Sequence, residues 1–188
     1  MHTDNRKSSP LATKTLAFAT LLAASLISIA PLQAQTATSK AKPVRGTFVL
    51  VPEKSDDIDQ AIEAGVKDMG MTKSIAKGRL KDTNPLYRTI EIDATADTVR
   101  LTFDGKTTLV APANGEEIEW RYRGEKFKVT TRWEGNSVRQ AFKAFDGTRE
   151  NVTTLDPDGV TLRVVTTVTS SMLPEPVKYV MVYRREKR

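Results

Sequence analysis

The sequence predicts a mainly β protein: a closed up-and-down antiparallel β-barrel of about ten strands, with a helix-turn-helix between the first strand and the second. Three observations predict it. From Leu86 onward apolar and polar residues alternate with period two, as half-buried strands do. Glycines 105, 115, 124, 135, 147 and 159 punctuate that alternation at near-regular intervals, four of them in the hairpin dipeptides Asp-Gly or Asn-Gly. One stretch early in the chain, "SDDIDQAIEAG", has the 3.6 period of a helix instead.

The first strand is read at 46–51 and stopped by Pro52. Ser55 or Asp56 can cap the helix that follows over 56–70, whose acidic first turn suits the helix dipole. Ile58, Ala61, Ile62, Gly65, Val66 and Met69 form its apolar face, and Gly70 ends it. A second helix over 72–80 repeats the pattern weakly, with Met71 and Ile75 beside a basic face of Lys73, Lys77 and Arg79. Strands follow at 87–93, 97–104, 106–111, 117–123, 126–133, 138–145, 148–155, 160–169 and 177–185. Ten strands joined by tight turns leave two exposed edges unless the sheet closes, so alternation becomes inside against outside. A barrel of that strand number is wider than its side chains readily fill, and helices after one strand can cover its mouth.

The first 34 residues read as an export signal: Arg6, Lys7 and Lys14 precede an apolar run over 16–30, and "PLQA" ends in a small residue. Fifteen apolar residues are too few to span a bilayer. Residues 35–43 form a polar leader and 44–188 the domain, expected in the periplasm and, having no cysteine, not acylated as a lipoprotein. Removing the signal lowers the formal charge from +6 to +4. That mild, interspersed excess fits a solvated monomer and argues against nucleic-acid binding. The domain is long enough to be stable on one core without disulfides.

Composition also limits the chemistry. The single histidine, His2, lies in the signal and there is no cysteine, which excludes Ser-His-Asp and Cys-His catalysis and His- or Cys-held zinc or haem. "SIAK" at 74–77 fits an acyl-serine pattern without its partner motifs, and "GKTT" at 105–108 the tail of a phosphate loop without its first glycine. "DPDG" at 156–159 lacks the further oxygens of a calcium loop. Glu116, Glu117 and Glu119 read as solvated charges. No catalytic residue, cofactor or metal is assigned, and the protein is read as non-enzymatic.

The chain resembles the fatty-acid-binding-protein branch of the calycin superfamily, relatives of the lipocalins. Gly46-Thr47-Phe48 is similar to the opening Gly-Thr-Trp, "DDIDQAIEAGVKDMGMTKSIAKG" to the helical lid, and "VYRR" at 182–185 to the closing Val-Tyr-x-Arg. The resemblance implies that Arg185 packs on Phe48 as a cation–π pair. It also implies an anion clamp at positions held here by Met181 and, near the eighth strand, Thr154, so a neutral or differently held apolar ligand is expected.

The inward candidates are then Trp120, Tyr122, Phe127 and Trp133 on two neighbouring strands, and Leu162, Val164, Tyr179, Met181 and Tyr183 on the last two. Gln140, Thr154 and Tyr183 are the polar groups that could orient a ligand. Hydrophobicity places Val138, Gln140 and Phe142 inside, whereas the resemblance places Arg139 and Lys143 there as alternative anion contacts. The partner expected is a small apolar or amphiphilic, lipid-like molecule, with transient contact between the basic lid face and anionic membrane. The rival expectation is a filled barrel serving as an envelope scaffold for a protein or polymer.

Overall fold

The computed structural model describes residues 42–187; the expected signal and most of the leader lie outside them. Ten strands form one antiparallel sheet: β1 (Val44–Leu50), β2 (Thr89–Ala94), β3 (Thr98–Phe103), β4 (Thr107–Pro112), β5 (Asn114–Tyr122), β6 (Glu125–Glu134), β7 (Ser137–Lys143), β8 (Gly147–Leu155), β9 (Thr161–Ser170) and β10 (Val177–Arg185). Between β1 and β2 lie a short 3-10 turn (Pro52–Lys54) and the helices α1 (Ile58–Gly65) and α2 (Lys73–Thr83).

The strand order is β4-β3-β2-β1-β10-β9-β8-β7-β6-β5, so every strand pairs with its neighbours in sequence except β4 with β5, and β1 pairs with β10. The sheet is a nearly closed barrel. Its seam lies between β4 and β5, where a register shift between Asn114 and Glu117 marks the start of β5. The Trp120 indole Nε1 donates to the Thr108 carbonyl across that seam at 3.3 Å.

The resemblance's cation–π pair is present at the join of β1 and β10. The Arg185 guanidinium lies 4.6 Å from the centre of the Phe48 ring, and its Nε donates to the Gly159 carbonyl at 2.8 Å. Gly46, at φ +142°, makes this possible, because a Cβ there would collide with that guanidinium.

Asp57 caps α1, its Oδ1 accepting from the backbone N–H groups of Asp59 at 2.8 Å and Gln60 at 3.1 Å. Ser55 and Asp56, the caps expected from the sequence, extend the pairing with β10 instead. The Val182 N–H donates to Ser55 Oγ at 2.9 Å and the Val180 N–H to Asp56 Oδ2 at 2.7 Å. A strand edge with unsatisfied N–H groups competes for the same oxygens as a helix end. The face of α1 goes inward: Ile62, and Val66 and Met69 just beyond the helix, are buried in the main core, α1 packs on β10, and a Cβ at Gly65 would collide with the Val177 side chain.

Candidate ligand cavity

Cross-strand partners share a face of a sheet, so the register sorts the interior into layers. Nearest the helices, Val129, Phe142, Arg149, Val168 and Val177 stand side by side across β6 to β10. One step deeper the row is Thr131, Gln140, Asn151, Thr166 and Tyr179, every member polar. Below it come Trp133, Val138, Thr153, Val164 and Met181.

The polar row is hydrogen-bonded from within. Gln140 Nε2 donates to Thr131 Oγ1 at 3.1 Å, Thr166 Oγ1 to Asn151 Oδ1 at 3.1 Å, and the Tyr179 hydroxyl to Asn84 Oδ1 at 3.1 Å. Gln140 Oε1 is buried with no protein partner. An orphaned acceptor of that kind is costly unless water or a ligand donates to it.

Residues 83–87 form a strap over this interior, tied down by three barrel side chains. Arg149 donates to the Thr83 carbonyl at 2.8 Å, Tyr179 to Asn84, and the Tyr183 hydroxyl to the Tyr87 carbonyl at 3.2 Å. Burial raises the pKa values of Tyr179 and Tyr183; burial, and then the neighbouring Tyr122, does the same for Tyr87. All three phenols are therefore neutral hydrogen-bond donors at neutral pH, the wrong direction for a general base.

Space remains on both sides of the strap. A cavity of about 330 Å³ lies at the mouth, between α2 and the turns that end β5, β7 and β9. Its walls include Met69, Leu80, Phe127, Phe142, Val168 and Leu173, with Arg79, Glu125, Asp146 and Arg149 as its charged groups. That volume reaches the range of roughly 300–1,000 Å³ typical of small-ligand pockets. A second, of about 530 Å³, opens beside Leu50, Asp57, Ile58, Lys81 and Leu86. The space deeper in the barrel, bounded by Ile90, Phe103, Asn151, Thr166, Tyr179 and Tyr183, is only about 40 Å³. A few water molecules would occupy it. Arg149 borders both the mouth cavity and this inner space.

The expected residues divide accordingly. Leu162, Val164, Tyr179, Met181 and Tyr183 are buried inside, as is Gln140. Trp120 and Tyr122 face inward from β5, stacked at 5.3 Å, and Trp133 sits at the far end with Nε1 donating to the Thr95 carbonyl at 2.7 Å. Phe127 alone of these lines the mouth cavity. Thr154 is on the outer face, 2.7 Å from the Ser137 hydroxyl; Thr153 takes the inward place. The Asp146-Gly147 hairpin pairs even positions of β7 with odd positions of β8, and that parity decides the matter. The same register places Arg139 and Lys143 outside, Arg139 bridging Glu134 at 2.6 Å and also meeting Glu150. The register that hydrophobicity favoured for this strand is the observed one.

Arg149, Asn151 and Thr166 were not anticipated. The inward face of β8 reads Arg, Asn, Thr, Leu, which hydrophobic patterning assigns to solvent; only the hairpin parity could have exposed it. Among the described residues no cluster of three or more His, Cys, Asp or Glu could hold a metal. Asp158 is occupied in the β8–β9 turn: hydrogen bonds from Thr161 and Val160 hold its carboxyl down at about 2.

The same architecture recurs among solved structures. The chain superimposes on a secretory abundant heat soluble protein of Ramazzottius varieornatus with a TM-score of 0.52 at 11% identity, covering 76% of this chain and 94% of that one. The two share a fold. A brain fatty-acid-binding protein of Drosophila melanogaster is matched at TM-score 0.48 and 23% identity over 75% of this chain and 98% of that one. A Schistosoma mansoni fatty-acid-binding protein, solved with arachidonic acid, is matched at TM-score 0.47 and 19% identity over 80% and 98%. No family model matches the sequence, and no curated protein does.

Proposed function

We propose that this protein is an exported, non-enzymatic binding protein that holds a small apolar or amphiphilic molecule at the mouth of its barrel, beneath α2. The observation that carries this reading is the mouth cavity of about 330 Å³, walled by apolar side chains such as Leu80, Phe127, Phe142 and Val168, with Arg149 among its few polar groups. Ligand binding there would be driven by the removal of apolar surface from water, at about 25 cal/mol per Å². Movement of the strap over 83–87 would extend the site inward.

Contact with membrane belongs to the same reading, but the lid's basic face does not support it. Lys73 and Lys77 share the one carboxylate of Glu63 at 2.5 and 2.6 Å, and Arg79 pairs with Asp146 at 2.9 Å, so two of the face's three charges are neutralised within the protein. Apolar tips support it better: Ile75 is 73% exposed on α2 and Phe145 fully exposed on the β7–β8 turn, both at the mouth.

The test is native mass spectrometry of protein purified from its own host, followed by titration with an apolar fluorescent probe. A co-purifying small molecule that the probe displaces is the expected result. The small inner space favours a second reading, a filled barrel acting as a periplasmic scaffold. Ligand-free protein that takes up no probe would establish that reading in place of the first.

A further inference from the structure

Arg149 is the cation of this interior that has no counter-ion. Its NH1 donates to the Thr83 carbonyl at 2.8 Å, its guanidinium carbon lies 4.4 Å from the centre of the Phe142 ring, and its Nε is buried with no partner. It makes no ion pair with any described carboxylate. Of the acids in the same cavity, Asp146 is taken by Arg79 at 2.9 Å, and Glu125 does not reach Arg149. Its neighbours in the mouth layer are Val129, Phe142, Val168 and Val177, all apolar.

A guanidinium carries five N–H donors, stays charged at any working pH and matches a planar or tetrahedral oxyanion with two parallel bonds. Leaving such a charge half-buried and unpaired is costly, and the cost is recovered when an anion arrives in the same low-dielectric space. We propose that the mouth cavity takes a ligand with an acidic group, and that Arg149 is the residue that determines this specificity. The acid would sit against the Arg149 guanidinium where it borders the mouth cavity, and the apolar body against Phe127, Phe142 and Leu80. This deepens the binding reading given above and rests on it. It also departs from the pattern of the resembled family, whose two clamp positions here are an apolar side chain, Met181, and an outward one, Thr154.

The test uses a dansyl-labelled eleven-carbon acid and its methyl ester, which differ in charge and little in shape. Wild-type protein is expected to bind the acid at least about tenfold more tightly than the ester, since hydrogen bonds to a charged group are worth at least that ratio. Arg149→Met is expected to abolish the preference, and Arg149→Lys to keep part of it. The wild-type comparison needs no variant, so it stands even if Arg149→Met folds poorly. Equal binding of acid and ester by the wild type overturns the specificity and leaves the binding reading intact. A preference that survives in a folded Arg149→Met also overturns it. Binding of neither probe overturns both.

Discussion

The two helices cover the same barrel mouth and do opposite things to it. Helix α1 sends Ile62 into the core and, with Val66 just beyond it, packs against β10 until a Cβ at Gly65 has no room. Helix α2 has the sequence KSIAKGRLKDT, of which only Leu80 is buried, while Ile75 is 73% exposed. A helix with so narrow an apolar stripe cannot be drawn down onto the wall of β4 to β7, where Leu109, Phe127, Val129 and Phe142 form a separate small cluster. The mouth cavity is the space left over. One helix is a plug and the other a roof.

The largest effects should come from breaking the plugged side. Phe48→Ala removes a fully buried ring and the platform of Arg185, and should cost about 3–5 kcal/mol in urea denaturation. Ile62→Ala, on the buried face of α1, should cost about 2–5 kcal/mol and leave the dansyl-acid preference of the folded protein unchanged.

The roofed side should respond in the other sense. Ala76 lines the mouth cavity, and Ala76→Phe should weaken probe binding by about tenfold or more with a stability change within about 1 kcal/mol. Gln140→Leu removes the buried orphan acceptor and should be neutral or stabilising by up to about 1 kcal/mol, although Thr131 loses its partner. A loss above 2 kcal/mol would mean that the polar row stabilises the barrel instead of waiting for a ligand.

The smallest effect concerns the join between the helices. Hydrogen bonds from Lys73 and then Lys77 lower the Glu63 carboxyl from 4.5 to about 2. A lowered carboxylate contributes stability that is present above its ordinary value and lost as pH falls from about 4.5 through about 2. Glu63→Gln should therefore remove a small part of the acid dependence of unfolding in that window and change nothing at pH 7 beyond what an exposed ion pair supplies. An unchanged acid limb would show that α1 and α2 are joined by packing alone.

Alternation and glycine spacing made the strands legible: nine of them begin and end within about two residues of where periodicity put them, because period two and turn chemistry are local properties. The fifth, where a bulge follows Asn114, was read to start at 117. The inward aromatic and aliphatic residues were legible for the same reason. Arg149 and Asn151 were not, since a strand whose buried face is more polar than its exposed one inverts the rule used to orient it.

What the sequence determined by itself is the order of elements and which helix has an apolar face to bury, while the β1–β10 join through Phe48 and Arg185 was implied by the resemblance of its end motifs. These depend on residues close in the chain or on a short motif. The tertiary structure alone decided that the space lies at the mouth and not deep in the barrel, and that Arg149 stands in it without a counter-ion. The physical reason is that both depend on register and on volumes contributed by strands and helices far apart in the chain, where a shift of one residue turns every side chain to the other face.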